Sequence, residues 1–89
     1  MTQETITLFV ADDTSPITKL NKLGHCFGYK NSEMALLFRL KLGYPSIWMF
    51  KAREYQIERK KYMKEWNYGK EICDDEYIVY EIQMEKKLV

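Results

Sequence analysis

SIWMFKAREYQIERKKYMKEW, residues 46–66, decides how the rest of the chain is arranged. Read as a strand, it opens with the β-formers Ile47, Trp48 and Phe50. Read as a helix, Ser46 caps a run in which Trp48, Ala52, Tyr55, Arg59, Tyr62 and Trp66 recur at alternating steps of four and three. Six positions on one stripe favour the second reading, so the pattern predicts one long helix from Ile47 to Trp66. Arg59, the polar member, can lie across the rings of Tyr55 and Tyr62 with its head in water.

On such a helix, Lys51, Glu54, Glu58, Lys61 and Glu65 form a stripe of mixed sign, which is a solvated face. The remaining stripe, Arg53, Ile57, Lys60 and Lys64 with Arg59 at its border, contains no acid. Arg39 and Lys41 join it if the preceding helix lies alongside. The candidate contact set for nucleic acid or another partner is therefore Arg39, Lys41, Arg53, Arg59, Lys60 and Lys64. Three to five phosphate contacts would give modest, salt-sensitive binding without sequence readout. RNA suits the set better than duplex DNA, because exposed tyrosines can stack on unpaired bases and no recognition-helix motif is present. The plainer account is a helix face turned to water.

The flanking segments are read outward from this stretch. TITLFVADD alternates Ile6, Leu8 and Val10 with Thr5, Thr7 and Phe9, which is a strand. Ser15 before Pro16 starts a helix that Gly24 can close. HCFGYK, between two glycines, reads as a loop. Asn31 or Ser32 caps a second helix ending at Gly43, with Met34, Leu36, Leu37, Phe38, Leu40 and Leu42 on a broad apolar face. Asn67-Tyr68-Gly69 ends the long helix; a short strand at Lys70 to Cys73, a turn at Asp74-Asp75 and a strand from Tyr77 to Met84 then form a hairpin. The expected fold is a single α+β domain over residues 1–89. In it, three helices pack on a short antiparallel sheet made by the N-terminal strand and the C-terminal hairpin.

Bulk properties bound the function. Eighty-nine residues, 46% apolar and 15% aromatic, suffice for one packed core and argue against disorder. Thirteen rings, seven of them tyrosine, exceed what a core this small hides, so some face solvent, where rings anchor partners. The net charge of +1 conceals a segregation: residues 14–64 carry +8, the segment before them −3 and the segment after them −4. A two-signed surface suits protein partners, including a second copy in a homodimer. Two distant cysteines, the lack of a signal-like N-terminus and the lack of an apolar run near ~20 residues indicate a soluble, cytoplasmic protein with no membrane partner.

Chemistry is sparsely marked. His25 and Cys26 are adjacent, and neighbours in extended chain point opposite ways, so they do not form a thiolate–imidazolium couple. Asp12-Asp13 and Asp74-Asp75-Glu76 are the only acidic clusters that could hold a metal, and both fall beside expected turns, where acids serve capping. No glycine-rich phosphate loop or zinc spacing occurs. The expectation is a non-enzymatic protein without cofactor or metal. Its tiny, motif-free, Lys/Glu/Tyr/Ile-rich format resembles, in genre only, the accessory inhibitors of phages and mobile elements. That likeness implies a protein that occludes a macromolecular partner; RNA binding through the basic stripe is the alternative.

Overall fold

Residues 46–65 are not helical. The computed structural model describes residues 4–65 and 70–89, and in it the decisive stretch forms two strands, β3 (Ser46–Ala52) and β4 (Tyr55–Glu65). The remaining elements are β1 (Ile6–Asp12), α1 (Pro16–Leu23), β2 (Cys26–Tyr29), α2 (Ser32–Leu42), β5 (Lys70–Val79) and β6 (Ile82–Lys87). All strands pair antiparallel in one six-stranded sheet of order β4-β5-β2-β1-β3-β6. The chain is thus an α+β domain with two helices among the described residues. The third expected helix is replaced by strands, and its last position, Trp66, lies outside the described residues with Asn67-Tyr68-Gly69.

The misleading stripe has a physical origin. Trp48, Ala52, Tyr55 and Tyr62 do share a face, but of the sheet. Residues an even number apart lie on one side of a strand. The odd separations, 52 to 55 and 55 to 62, each span an irregularity that restores the face. The first is a bend at residues 53–54; the second is a bulge at Glu58, where the register shifts between Ile57 and Arg59. Arg59, the polar member, points to the opposite side, as its ion pair with Glu76 shows.

β3 and β4 together oppose β5 and β6 as one long ribbon. Ala52 faces Ile82 before the bend and Tyr55 faces Val79 after it. Between them the Arg53 N–H donates to the Glu81 carbonyl (3.4 Å) and the Tyr80 N–H to the Glu54 carbonyl (2.7 Å). β1 lines up along β3, β2 along β5, and β1 and β2 touch each other at Phe9 and Tyr29. The sheet therefore curls. Its concave side holds Ile6, Leu8, Cys26, Phe50, Ala52, Tyr77 and Val79, with Val10, Tyr55 and Ile82 packed against them.

Three further expectations change. HCFGYK contains β2 instead of a loop: a Cβ on Gly28 would lie 2.6 Å from the Phe50 ring, so glycine is what lets that ring fill the core. Asp74-Asp75 is mid-strand, because β5 runs unbroken opposite the lysines of β4. β1 lies between β2 and β3, and the C-terminal strand β6 extends the ribbon on the far side of β3.

The helices are as local chemistry dictates. Ser15 caps α1 by accepting from the Thr18 N–H, Pro16 occupies its first turn, and Gly24 closes it at φ 83°. Asn31 caps α2 and Gly43 closes it at φ 76°. α1 is tied to the concave side of the sheet by the Ile17 N–H, which donates to Glu85 Oε1 (2.8 Å). α2 covers the other side, with Met34 and Leu37 against Tyr29 and Ile72, and Ala35 against Ala11 and Ile47.

Candidate functional site

Below Phe9 and Tyr29 the strands β1 and β2 fork apart, and a cleft of about 150 Å³ opens there. Val10, Ala11, Phe27 and Phe38 supply an apolar floor; Tyr29, Leu42 and Tyr44 complete the wall. One charged feature borders it, the ion pair of Asp12 with Lys19. Asp12 is buried and also accepts from the N–H groups of Asp13 (2.8 Å) and Thr14 (3.3 Å). Burial pushes its carboxyl up, but Lys19 and these hydrogen bonds outweigh that and hold it below the usual carboxylate range. The cleft is smaller than the roughly 300 Å³ at which small-molecule pockets begin, and suits a single inserted side chain.

α2 presents the larger feature. Its inner face is filled, yet Leu36 and Leu40, one turn apart, are exposed (Leu40 to 71%), and Leu42 and Tyr44 stand exposed at the cleft mouth. The sequence assigned Leu36, Leu40 and Leu42 to the core. The signal that could have found them is that α2 is apolar on nearly every side, more than one sheet can cover.

The six cations singled out from the sequence do not gather into one stripe. Arg39 and Lys41 lie in the last turn of α2, where the Arg39 Nε is buried without a hydrogen-bond partner among the described atoms. Arg53 sits at the ribbon's bend. With the Gln83 amide turned to satisfy both neighbours, its oxygen accepts from the Arg53 guanidinium at 2.6 and 3.2 Å. Arg59 points to the α2 side of β4, toward Glu76 (3.7 Å). Lys60 and Lys64 share the opposite side, each beside an acid of β5: Asp75 at 3.7 Å and Glu71 at 3.5 Å. The stripe that contains no acid in sequence is thus lined by acids in space.

The other chemical candidates are accounted for by packing. Cys26 is buried, and burial pushes its thiol up to about 12, so at neutral pH it is a small apolar filler. His25 stacks edge-on against Phe27, with ring centres 5.4 Å apart. Asp74 accepts from the Asn31 N–H (2.5 Å) and so holds the start of α2 to β5. Among the described residues no group of three or more His, Cys, Asp or Glu is placed to hold a metal, and no helix is long and apolar enough to cross a membrane.

Comparisons with protein-family models, with curated proteins and with solved structures give no match, so the functional reading rests on geometry.

Proposed function

We propose that this chain is a non-enzymatic binding protein that acts, as an inhibitor does, by covering a surface of a protein partner. The observation that carries this reading is the pair Leu36 and Leu40, left in water on a helix whose inner face is already packed. Around the helix from them, at its C-terminal end, lie Leu42, Tyr44 and a cleft sized for one side chain. Exposed apolar side chains and an anchor pocket are features on which partner sites are commonly built. Arg39 and Lys41, in the last turn of α2, add positive charge nearby. They favour a partner with acidic or carbonyl groups around its apolar anchor.

Affinity capture from a cell extract, followed by mass spectrometry, tests the reading with the parent chain and with Leu36→Glu/Leu40→Glu. Both leucines are exposed, so the variant should keep its circular dichroism while losing whatever the parent enriches. Equal enrichment by both chains would refute the α2 surface, and enrichment of nothing would refute the function. Sedimentation at micromolar concentration covers the remaining occupant, a second copy: a dimer abolished by the same pair of substitutions makes the partner this chain itself.

A further inference from the structure

β4 is an edge strand eleven residues long, and among the described residues no strand lies on its outer side. At about 3.3 Å per residue it offers a ridge of roughly 36 Å, and no described strand pairs with the outward backbone groups of residues 56–63. Its inner neighbour shows what it pairs with. Arg59, Lys60, Lys61 and Lys64 stand opposite Glu76, Asp75, Asp74 and Glu71 of β5, one basic residue to each acid. These ion pairs are loose, at 3.5–3.7 Å where they form, and the cations of Arg59, Lys60 and Lys64 remain more than half exposed.

We propose that the free edge of β4 accepts an extended acidic segment of a partner protein as an added strand. A strand laid on that edge would meet the same cations from the other side, in the spacing β5 already uses. Main-chain hydrogen bonds would supply the affinity and the cations the choice of sequence. Ile57 and Tyr62, 60% and 67% exposed, offer apolar contacts between the charges. Lysines on an edge strand ordinarily serve to prevent strand addition. Here their effect depends on the incoming charge: they repel the β4 edge of a second copy and attract an acidic strand, and specificity is that difference.

The test uses a dye-labelled ten-residue peptide of alternating glutamate and valine. It is compared with the same peptide carrying two central prolines, with its lysine counterpart, and with a ten-nucleotide single-stranded RNA. Fluorescence anisotropy should show the glutamate–valine peptide binding at least tenfold more tightly than each of the others. Amide hydrogen exchange should slow at alternate residues of β4 and stay unchanged along β6, the opposite edge. Lys60→Gln/Lys64→Gln, at exposed positions, should weaken the peptide several-fold without altering the circular dichroism. Equal binding of the proline peptide would mean charge attraction without strand addition, and equal or tighter binding of the RNA would make the edge a nucleic-acid contact. Either result, protection away from β4, or no binding at all overturns the proposal. The peptides are compared on the unaltered chain, so a variant that fails to fold leaves these outcomes intact.

Discussion

The Tyr29 hydroxyl donates a 2.6 Å hydrogen bond to Glu76 Oε2 beneath α2, and the other carboxylate oxygen lies 3.7 Å from both Arg59 Nε and Lys61 Nζ. Three strands, β2, β5 and β4, are thereby joined through one buried carboxylate. Burial and the adjacent Glu76 also push the Tyr29 hydroxyl well above its ordinary range, so it stays a donor. Tyr29→Phe removes that donor and leaves the carboxylate under-satisfied. A hydrogen bond to a charged group contributes about 1.5–3 kcal/mol, and urea unfolding should show a loss of that order. A loss below a few tenths would mean that water replaces the hydroxyl.

Gly28 and Phe50 are coupled across the concave core. A methyl group at position 28 would meet the Phe50 ring at 2.6 Å and the Leu8 Cβ at 2.9 Å. Phe50 is fully buried and cannot swing into solvent. Gly28→Ala should therefore destabilise by about 1–3 kcal/mol through overpacking. Phe50→Leu should recover part of that cost in the double variant, giving a favourable coupling energy in a mutant cycle. Additive effects would show that the added methyl group does not press on the Phe50 ring.

Acid should weaken the fold partly through Asp12. In the unfolded chain this carboxyl titrates near about 3.9. Its folded value is lower, so the stability it contributes is fully present above the unfolded value and is lost as pH falls through the folded one. Asp12→Asn should accordingly be less stable than the parent at neutral pH, and the gap should narrow as pH drops below about 4. Unfolding curves from pH 7 down to the acid limit check this; a gap independent of pH would remove the Lys19–Asp12 pair as its source.

Where the fold was legible in the sequence, the determinants were local. Ser15, Pro16, Gly24, Asn31 and Gly43 act within a turn of themselves, and both helices follow from them. β2 was hidden because Gly28 answers to Phe50, a residue distant in sequence. Arg59, Lys60 and Lys64 were found as cations, but the acids beside them belong to β5 and arrive through strand pairing. Leu36 and Leu40 read as core because a helix pattern does not reveal how much of the helix a sheet can cover. The ribbon itself was masked by two irregularities, each of which makes an odd spacing look helical.

That last point can be tested by removing single residues from β4. Glu58 is the surplus residue of the bulge, exposed and without an opposing partner in the register. Deleting it lets Ile57 and Arg59 follow one another directly opposite Tyr77 and Glu76, and every later pair, including Met63 with Ile72 under α2, stays as it is. The cost should be small, within about 1 kcal/mol, since only local twist is lost. Deleting Lys61 instead can be absorbed only by cancelling the bulge. That sets Glu58 opposite the buried Glu76 and moves Arg59 to the wrong face. Two carboxylates then face each other with Arg59 gone and only Lys60, in the place of Lys61, beside them, and the loss should exceed about 2 kcal/mol. In a helix, either deletion would turn all following residues by about 100°, so the two variants would suffer alike. Thermal or urea unfolding of the pair distinguishes the cases: a deletion of Glu58 as damaging as that of Lys61 would contradict the bulged strand.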